Sequence, residues 1–261
     1  MEKPAITSLS NPLIKQARML RQRKLRAETG LFLVEGIHHV GEVIEAQWDV
    51  ESILYAPELL TSNFAQELLT RLKTQPQPVS TPVMESLADK ENPQGIVAVV
   101  HQRKVQLDSL QVTRSGVALV SPQDPGNVGT ILRTMDAVDS DVLFLLDGGV
   151  DLYHPSVVRA SMGTLFWKPV IQTSFTEFLD WARRAGPGGA QLIGTSAHAD
   201  VDYHMLVKRE PWVLVLGNEQ KGLTPEQTKT CDMTVSLPMK GRVSSLNLSV
   251  AAGVLLYQLM K

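Results

Sequence analysis

The side chains able to do chemistry in this 261-residue chain cluster where short apolar runs end in glycine and polar residues. Asn127 and Arg133 follow Val117-Ala-Leu-Val, Thr195 closes Gln191-Leu-Ile-Gly-Thr, and Gly217, Asn218 and Glu219 close Trp212-Val-Leu-Val-Leu. Ser245 and Asn247 stand just before a last apolar stretch. The set offers amides, hydroxyls, glycine main chain, one carboxylate and one guanidinium. It suits holding a polar ligand through main-chain groups and positioning reactants, more than covalent or metal catalysis. Cys231 is the only cysteine, which excludes a disulfide and any multi-cysteine zinc site, and it reads as a half-buried small hydrophobe. His198 and His204 have no ligand partners in the pattern. Glu35, His38 and His39 start a helix and face different ways, so no metal is expected. The dinucleotide fingerprint Gly-x-Gly-x-x-Gly is missing, Gly217-x-x-x-x-Gly222 lacks a following Lys-Ser/Thr, and there is no Gly-x-Ser-x-Gly elbow. Arg133 stands among apolar residues of a helix, and on pattern alone it is either solvent-facing or paired with Asp136.

The elements that must position these groups alternate between strand and helix. The run 212–216 is apolar, β-branched and short, as a buried parallel strand should be. Parallel strands deliver their loops to one carboxyl edge, which gathers 124–129, 195–196 and 217–222. Pro238 and Gly241 interrupt the chain, Ser244 or Ser245 is placed to cap a helix, and Leu246, Val250, Val254 and Leu255 give that helix an apolar face. Upstream, Asn11-Pro12 signals a helix start, and Lys15, Arg18, Arg21, Arg23, Lys24 and Arg26 make a dense basic patch. Strands at 31–34, 52–56 and 94–100 alternate with helices from Gly36, over 57–73 and over 83–88. The division expected is a small α/β domain at 1–101, a polar linker at 102–115 and a second α/β domain at 116–261.

A net charge of −2 excludes a uniformly basic protein but not a local nucleic-acid patch, because clustered Lys and Arg release counterions from phosphates whatever the total. The patch 15–26 is such a candidate, against the plainer alternative of a solvated helix face. No apolar run approaches the about 20 residues of a membrane span, and the start of the chain lacks a signal-peptide core, so a soluble cytoplasmic protein without a membrane partner is expected.

Three motifs then resemble one family. They are Asp124-Pro-Gly-Asn-Val-Gly-Thr-Ile-Leu-Arg-Thr, Leu214-Val-Leu-Gly-Asn-Glu-Gln-Lys-Gly, and Leu237-Pro-Met-Lys-Gly-Arg-Val-Ser-Ser-Leu-Asn-Leu-Ser-Val-Ala-Ala-Gly, with Val158-Arg-Ala-Ser-Met-Gly as a further match. In order and spacing they resemble the SpoU (TrmH) branch of the SPOUT superfamily of RNA ribose 2′-O-methyltransferases. The first domain resembles the L30e-like RNA-binding domain, on Phe32-Leu-Val-Glu-Gly and its strand–helix order. The resemblance implies an α/β SPOUT domain with a mostly parallel sheet and a C-terminal trefoil knot, which general topology rules would not propose. It implies a homodimer, S-adenosylmethionine as methyl donor, and ribosomal RNA as target ahead of transfer RNA. It places Gly217, Leu237 and Leu246 around the adenosyl group through main chain, lined by Thr195, Pro238 and Met239, with Leu216, Asn218 and Ser245 completing the cofactor set. Asn127, Arg133, Glu219, Ser245 and Asn247 would form the catalytic surface, and Arg133 would act as base or as a phosphate anchor. Gln220 and Asp139 stand where the family often has glycine. A non-catalytic RNA-binding protein of the same fold predicts loss of those polar residues, all of which are present. A nucleotide-dependent dehydrogenase predicts the glycine fingerprint, which is missing.

Overall fold

In the computed structural model, which describes residues 3–72, 75–88, 93–110, 114–197, 199 and 201–260, the chain forms two units. His198 and residues 111–113 of the expected linker lie outside the described residues. One unit comprises Met1–Arg103 with Tyr153–Trp167, and the other Lys104–Leu152 with Lys168–Lys261.

In the first unit, Asn11 accepts a hydrogen bond from the Leu13 N–H and Pro12 occupies the first turn of α1 (Pro12–Met19), as the start signal requires. The helix buries Ile14 and Ala17 and stops, and the basic stretch continues in a separate helix, α2 (Arg23–Thr29), closed by Gly30 at φ 68°. Then follow β1 (Leu31–Glu35), α3 (Ile37–Glu45), β2 (Val50–Tyr55), α4 (Asn63–Arg71), β3 (Gln77–Pro78), α5 (Thr81–Leu87) and β4 (Ile96–His101). The helix expected from residue 57 begins six residues later, because Ser62 supplies the cap by accepting from the Ala65 N–H at 3.2 Å. The sheet order is β1-β4-β2-β3, with β4 antiparallel to β1 and β2.

The second unit holds β5 (Ser115–Val120), α6 (Pro125–Ala137) and β6 (Val142–Leu146). The chain then contributes α7 (Pro155–Ala160) to the first unit, within Tyr153–Trp167, a feature with no counterpart in the sequence division. There Tyr153 and Phe166 join Phe32 and Trp48 in an aromatic cluster, Trp48 donates to the Phe166 carbonyl at 2.9 Å, and His38 and His39 bond the carbonyls of Met162 and Arg159. Those two histidines thus hold a segment of chain. The second unit resumes with β7 (Val170–Thr173), α8 (Phe175–Arg184), β8 (Gln191–Thr195), β9 (Val201–Asp202), β10 (Trp212–Leu216), α9 (Pro225–Lys229), β11 (Met233–Ser236) and α10 (Leu248–Leu259). Its seven strands run in the order β7-β6-β5-β10-β8-β11-β9, and every pairing is parallel. A sheet covered on both faces explains the unbroken apolar runs of β5, β6 and β10, all of them buried. Phe144 of β6 anchors one face against Phe178 and Trp181 of α8, at 4.9 and 4.8 Å between ring centroids.

Candidate active site

Strands β5, β10, β8 and β11 are consecutive in a parallel sheet, so their carboxyl ends open at one edge. The chain runs from β5 toward β7 on one side and fills the other side later, which makes the β5–β10 boundary the switch point where such sheets bind ligands. Glu219 sits there, just past β10. Its carboxylate accepts from the Gln123 N–H at 3.0 and 3.2 Å, the Asp124 N–H at 3.2 Å and the Asn127 Nδ2 at 3.3 Å. Buried Asn127 in turn accepts, through Oδ1, from Asn247 Nδ2 at 3.0 Å. One network therefore ties the β5–α6 loop, the β10 loop and the start of α10. A buried amide satisfied in this way is rigid, and removing a partner leaves its polar atoms unpaired.

Asn247 also caps α10, its Oδ1 accepting from the Ser249 and Val250 N–H groups at 2.9 and 3.4 Å. The expected cap at Ser244 or Ser245 is thus corrected, since α10 begins at Leu248 and an amide oxygen already satisfies its free N–H groups. Ser245 and Leu246 lie exposed in the preceding loop.

Gly217 is required by geometry. A Cβ there would lie 2.2 Å from the Gly222 carbonyl carbon and 2.3 Å from the Leu223 nitrogen. The close approach is fixed by paired hydrogen bonds between Asn218 and Gly222, by Asn218 Nδ2 donating to the Ser121 carbonyl at 2.8 Å, and by Asn218 Oδ1 accepting from the Gln220 and Lys221 N–H groups. Leu216 is buried in the core and presents only main chain to this edge. Thr195 donates to the Val215 carbonyl at 3.3 Å. Beyond β11, residues 238–246, which include Pro238 and Met239, make no backbone–backbone hydrogen bond with the described residues. Their main-chain groups, with those of Gly217 and Leu237, can serve a ligand read through the backbone. Strand β11, which brings Leu237 to the edge, was missed from sequence, although Met233-Thr-Val-Ser carries the β-branched residues that mark a strand.

Arg133 lies on α6, exposed, and among the described residues no carboxylate pairs with it. Asp136, the partner one reading offered, is 3.8 Å from Lys168 instead. Cys231 is free and packs against the core, and burial pushes its thiol up to about 11, which suits a packing role. His204 hydrogen-bonds Asp202 at 2.7 Å, and the His204 backbone N–H and ring together hold that carboxyl below its usual range.

In the first unit, Lys15, Arg18, Arg21, Arg23 and Lys24 are exposed, with Lys24 3.8 Å from Glu28 and Arg21 donating to the Ala88 carbonyl. Arg26 departs from the expectation. It is buried and donates to the Leu20 and Arg21 carbonyls at 2.7 and 2.8 Å, so it closes the α1–α2 turn and is withdrawn from any phosphate.

Residues 115–257 match the SpoU rRNA methylase family, and residues 11–98 match the MRM3-like substrate-binding domain. The chain therefore belongs to the SpoU rRNA methylase family. It is 35% identical to the 23S rRNA (uridine(2479)-2′-O)-methyltransferase of Streptomyces viridochromogenes, covering 98% of this chain and 91% of that protein. It is 30% identical to the 23S rRNA (guanosine(2553)-2′-O)-methyltransferase RlmP of Bacillus subtilis, covering 97% and 98%. Among solved structures it is similar to the SpoU methyltransferase AviRb of Streptomyces viridochromogenes in complex with AdoMet, with a TM-score of 0.87 at 34% identity over 96% of this chain and 97% of that one. The AdoMet-bound rRNA methyltransferase of Sinorhizobium meliloti gives the same score at 32% identity over 98% and 96%. The SPOUT fold expected from the motifs is thus the fold observed.

Proposed function

We propose that this chain is an S-adenosylmethionine-dependent methyltransferase acting on a ribose 2′-hydroxyl of ribosomal RNA. The observation that carries the reading is the Glu219–Asn127–Asn247 network at the switch point of a parallel sheet, in a chain whose full-length relatives methylate that position of 23S RNA. A non-catalytic relative of the fold has no need of a buried amide–carboxylate network at this edge.

S-adenosylmethionine, when bound, supplies an electrophilic methyl group. Main-chain groups of Gly217, Leu237 and Leu246 hold its adenosyl part, with Thr195, Leu216, Asn218, Pro238, Met239 and Ser245 around it. Glu219 and Asn127 fix the β5–α6 loop, and so the helix that presents Arg133. Exposed and, among the described residues, without a carboxylate partner, the Arg133 guanidinium offers donors and no acceptor, which favours anchoring the target phosphate in the two-pronged geometry over abstracting the hydroxyl proton. Asn247 and Ser245 orient the sugar.

The same reading includes a homodimer and a C-terminal knot. Val250, Val254 and Tyr257 form a stripe on α10 that is 51, 37 and 56% exposed, an apolar surface suited to a second copy. Helix α10 packs on α6, although β11, which precedes it, lies beyond β10 and β8, so the chain recrosses the carboxyl edge as a threaded segment would. No helix among the described residues is long and apolar enough to cross a membrane, and no group of three or more His, Cys, Asp or Glu there could hold a metal. A cytoplasmic enzyme is consistent with that. The test is transfer of labelled methyl from S-adenosylmethionine to protein-free ribosomal RNA, followed by nuclease digestion and mass spectrometry. The expected product carries the label on one ribose. Label on a base, or on transfer RNA alone, would overturn the assignment.

A further inference from the structure

The chain as a whole is slightly acidic, with a net charge of −2, yet cations of the second unit fall into two groups. Away from the carboxyl edge several are paired with carboxylates, and Arg184, Lys208 and Arg209 are held by main-chain carbonyls. Arg114 pairs with Asp139 and Asp141, Lys168 with Asp136 and Asp139, and Arg183 with Asp180. At the carboxyl edge Lys221, in the β10–α9 loop, and Lys240 and Arg242, in the β11–α10 loop, are exposed, and among the described residues none has a carboxylate within ion-pair distance. The acids of the same edge, Glu219 and Asp124, are oriented by other partners. Glu219 is engaged by four hydrogen bonds from three residues, and Asp124 accepts from the Gly126 N–H at 2.7 Å as the cap of α6.

We infer that Lys221, Lys240 and Arg242 form a phosphate cradle at the mouth of the site, which grips the backbone of the RNA strand on either side of the target ribose. The chemistry recognised is a phosphodiester chain. Two loops of one edge, after β10 and β11 with β8 between those strands, match a strand laid across the edge better than a single phosphate, and long cationic side chains without acidic partners are what counterion release requires. This footprint differs from the α1–α2 patch, which belongs to the first unit. Lys221, Lys240 and Arg242 stand within the second and third motifs but are not among the residues placed around the methyl donor, so the RNA is the ligand assigned to them. The inference rests on the RNA methyltransferase reading above.

The test uses the full chain and an rRNA fragment that the wild type methylates. RNA affinity is measured over a salt series for wild type and for Lys240→Gln/Arg242→Gln and Lys221→Gln, and S-adenosylmethionine affinity is measured by calorimetry. The slope of log affinity against log salt is expected to shrink by about 1 for each cation removed, while donor affinity holds within about twofold. An unchanged slope with weakened or normal RNA binding overturns the cradle. Loss of donor affinity in these variants overturns it too, by assigning the loop cations to the cofactor. Failure of the wild type to methylate any rRNA fragment would instead sink the RNA methyltransferase reading itself, so the two failures are distinguishable.

Discussion

The α1–α2 turn of the first unit and the carboxyl edge of the second each carry an arginine on a helix, and they treat it in opposite ways. Arg26 is drawn inside, where two main-chain carbonyls satisfy it. Arg133 is left in solvent, without a carboxylate partner among the described residues, on a helix whose opposite side buries Ile131, Leu132 and Met135. In sequence Arg26 belongs to a basic patch and Arg133 stands among apolar residues, so the outcome is the reverse of what the flanking residues suggest. What separates them is the local need for donors. A turn between two short helices leaves carbonyls that lack N–H partners, and a long guanidinium is able to reach them. At the sheet edge the free groups are mostly N–H groups, and Glu219 takes those, so nothing there claims Arg133. Arg26 therefore serves the local fold, and Arg133 is left available for the role proposed above.

The contrast breaks most sharply at Arg133. Arg133→Ala should lower methyl transfer by about 100- to 1,000-fold, the range for removing one preorganised donor, while its melting temperature and its affinity for S-adenosylmethionine stay close to wild type. A variant with wild-type transfer would place the chemistry elsewhere. Glu219→Gln comes next. It keeps the volume but turns an acceptor into a group that faces the Gln123 and Asp124 N–H donors, so transfer should fall about 100-fold through a loosened β5–α6 loop and the melting temperature should fall as well. Full activity with an unmoved melting temperature would show that the network is ornamental to catalysis.

Arg26→Met inverts the pattern. Orphaning two carbonyls should destabilise the protein by about 1–3 kcal/mol with no change in the salt slope of RNA binding, whereas Arg23→Gln with Lys24→Gln should flatten that slope and barely shift unfolding. Denaturant titration beside a salt series separates the two, and equal effects from both sets would erase the distinction. The smallest effect is expected at Asp139, which holds φ 53°, a left-handed conformation that favours glycine. The Arg114 guanidinium, by hydrogen bond and then by charge, holds the Asp139 carboxyl below its ordinary value. A depressed carboxyl stabilises the fold above its unfolded value and loses that contribution as pH falls through the folded one. Thermal melts should therefore show Asp139→Gly gaining on the wild type as pH drops below about 4, because glycine keeps the relief of the left-handed backbone while the ion pair disappears. A gap independent of pH would remove the pair from the stability account.

Much of this was legible in the residues. The apolar runs of β5, β8 and β10 and the polar residues that end them mark the site edge, most plainly at β10, where five apolar residues before Gly217 read as a strand buried on both faces. Asn127, Glu219 and Asn247 were named from motifs and are joined in space. Their joining was not legible, since residues 92 and 120 positions apart meet only through the strand order. The cap of α10 was placed two or three residues early, because serine and asparagine compete equally for that role in a loop whose path is set by tertiary contacts. The short strands β3, β9 and β11 fell below the length at which alternation is readable. The return of Tyr153–Trp167 to the first unit has no local signal, because an aromatic cluster formed across about 120 residues leaves no periodicity.

The most direct measurement is a crystal structure of the protein with S-adenosylmethionine. The account predicts the adenosyl group against the main chain of Gly217, Leu237 and Leu246, with its methyl group turned toward Arg133 and Asn247. The methyl donor bound away from the carboxyl ends of β8, β10 and β11, or failing to bind at saturating concentration, would contradict it.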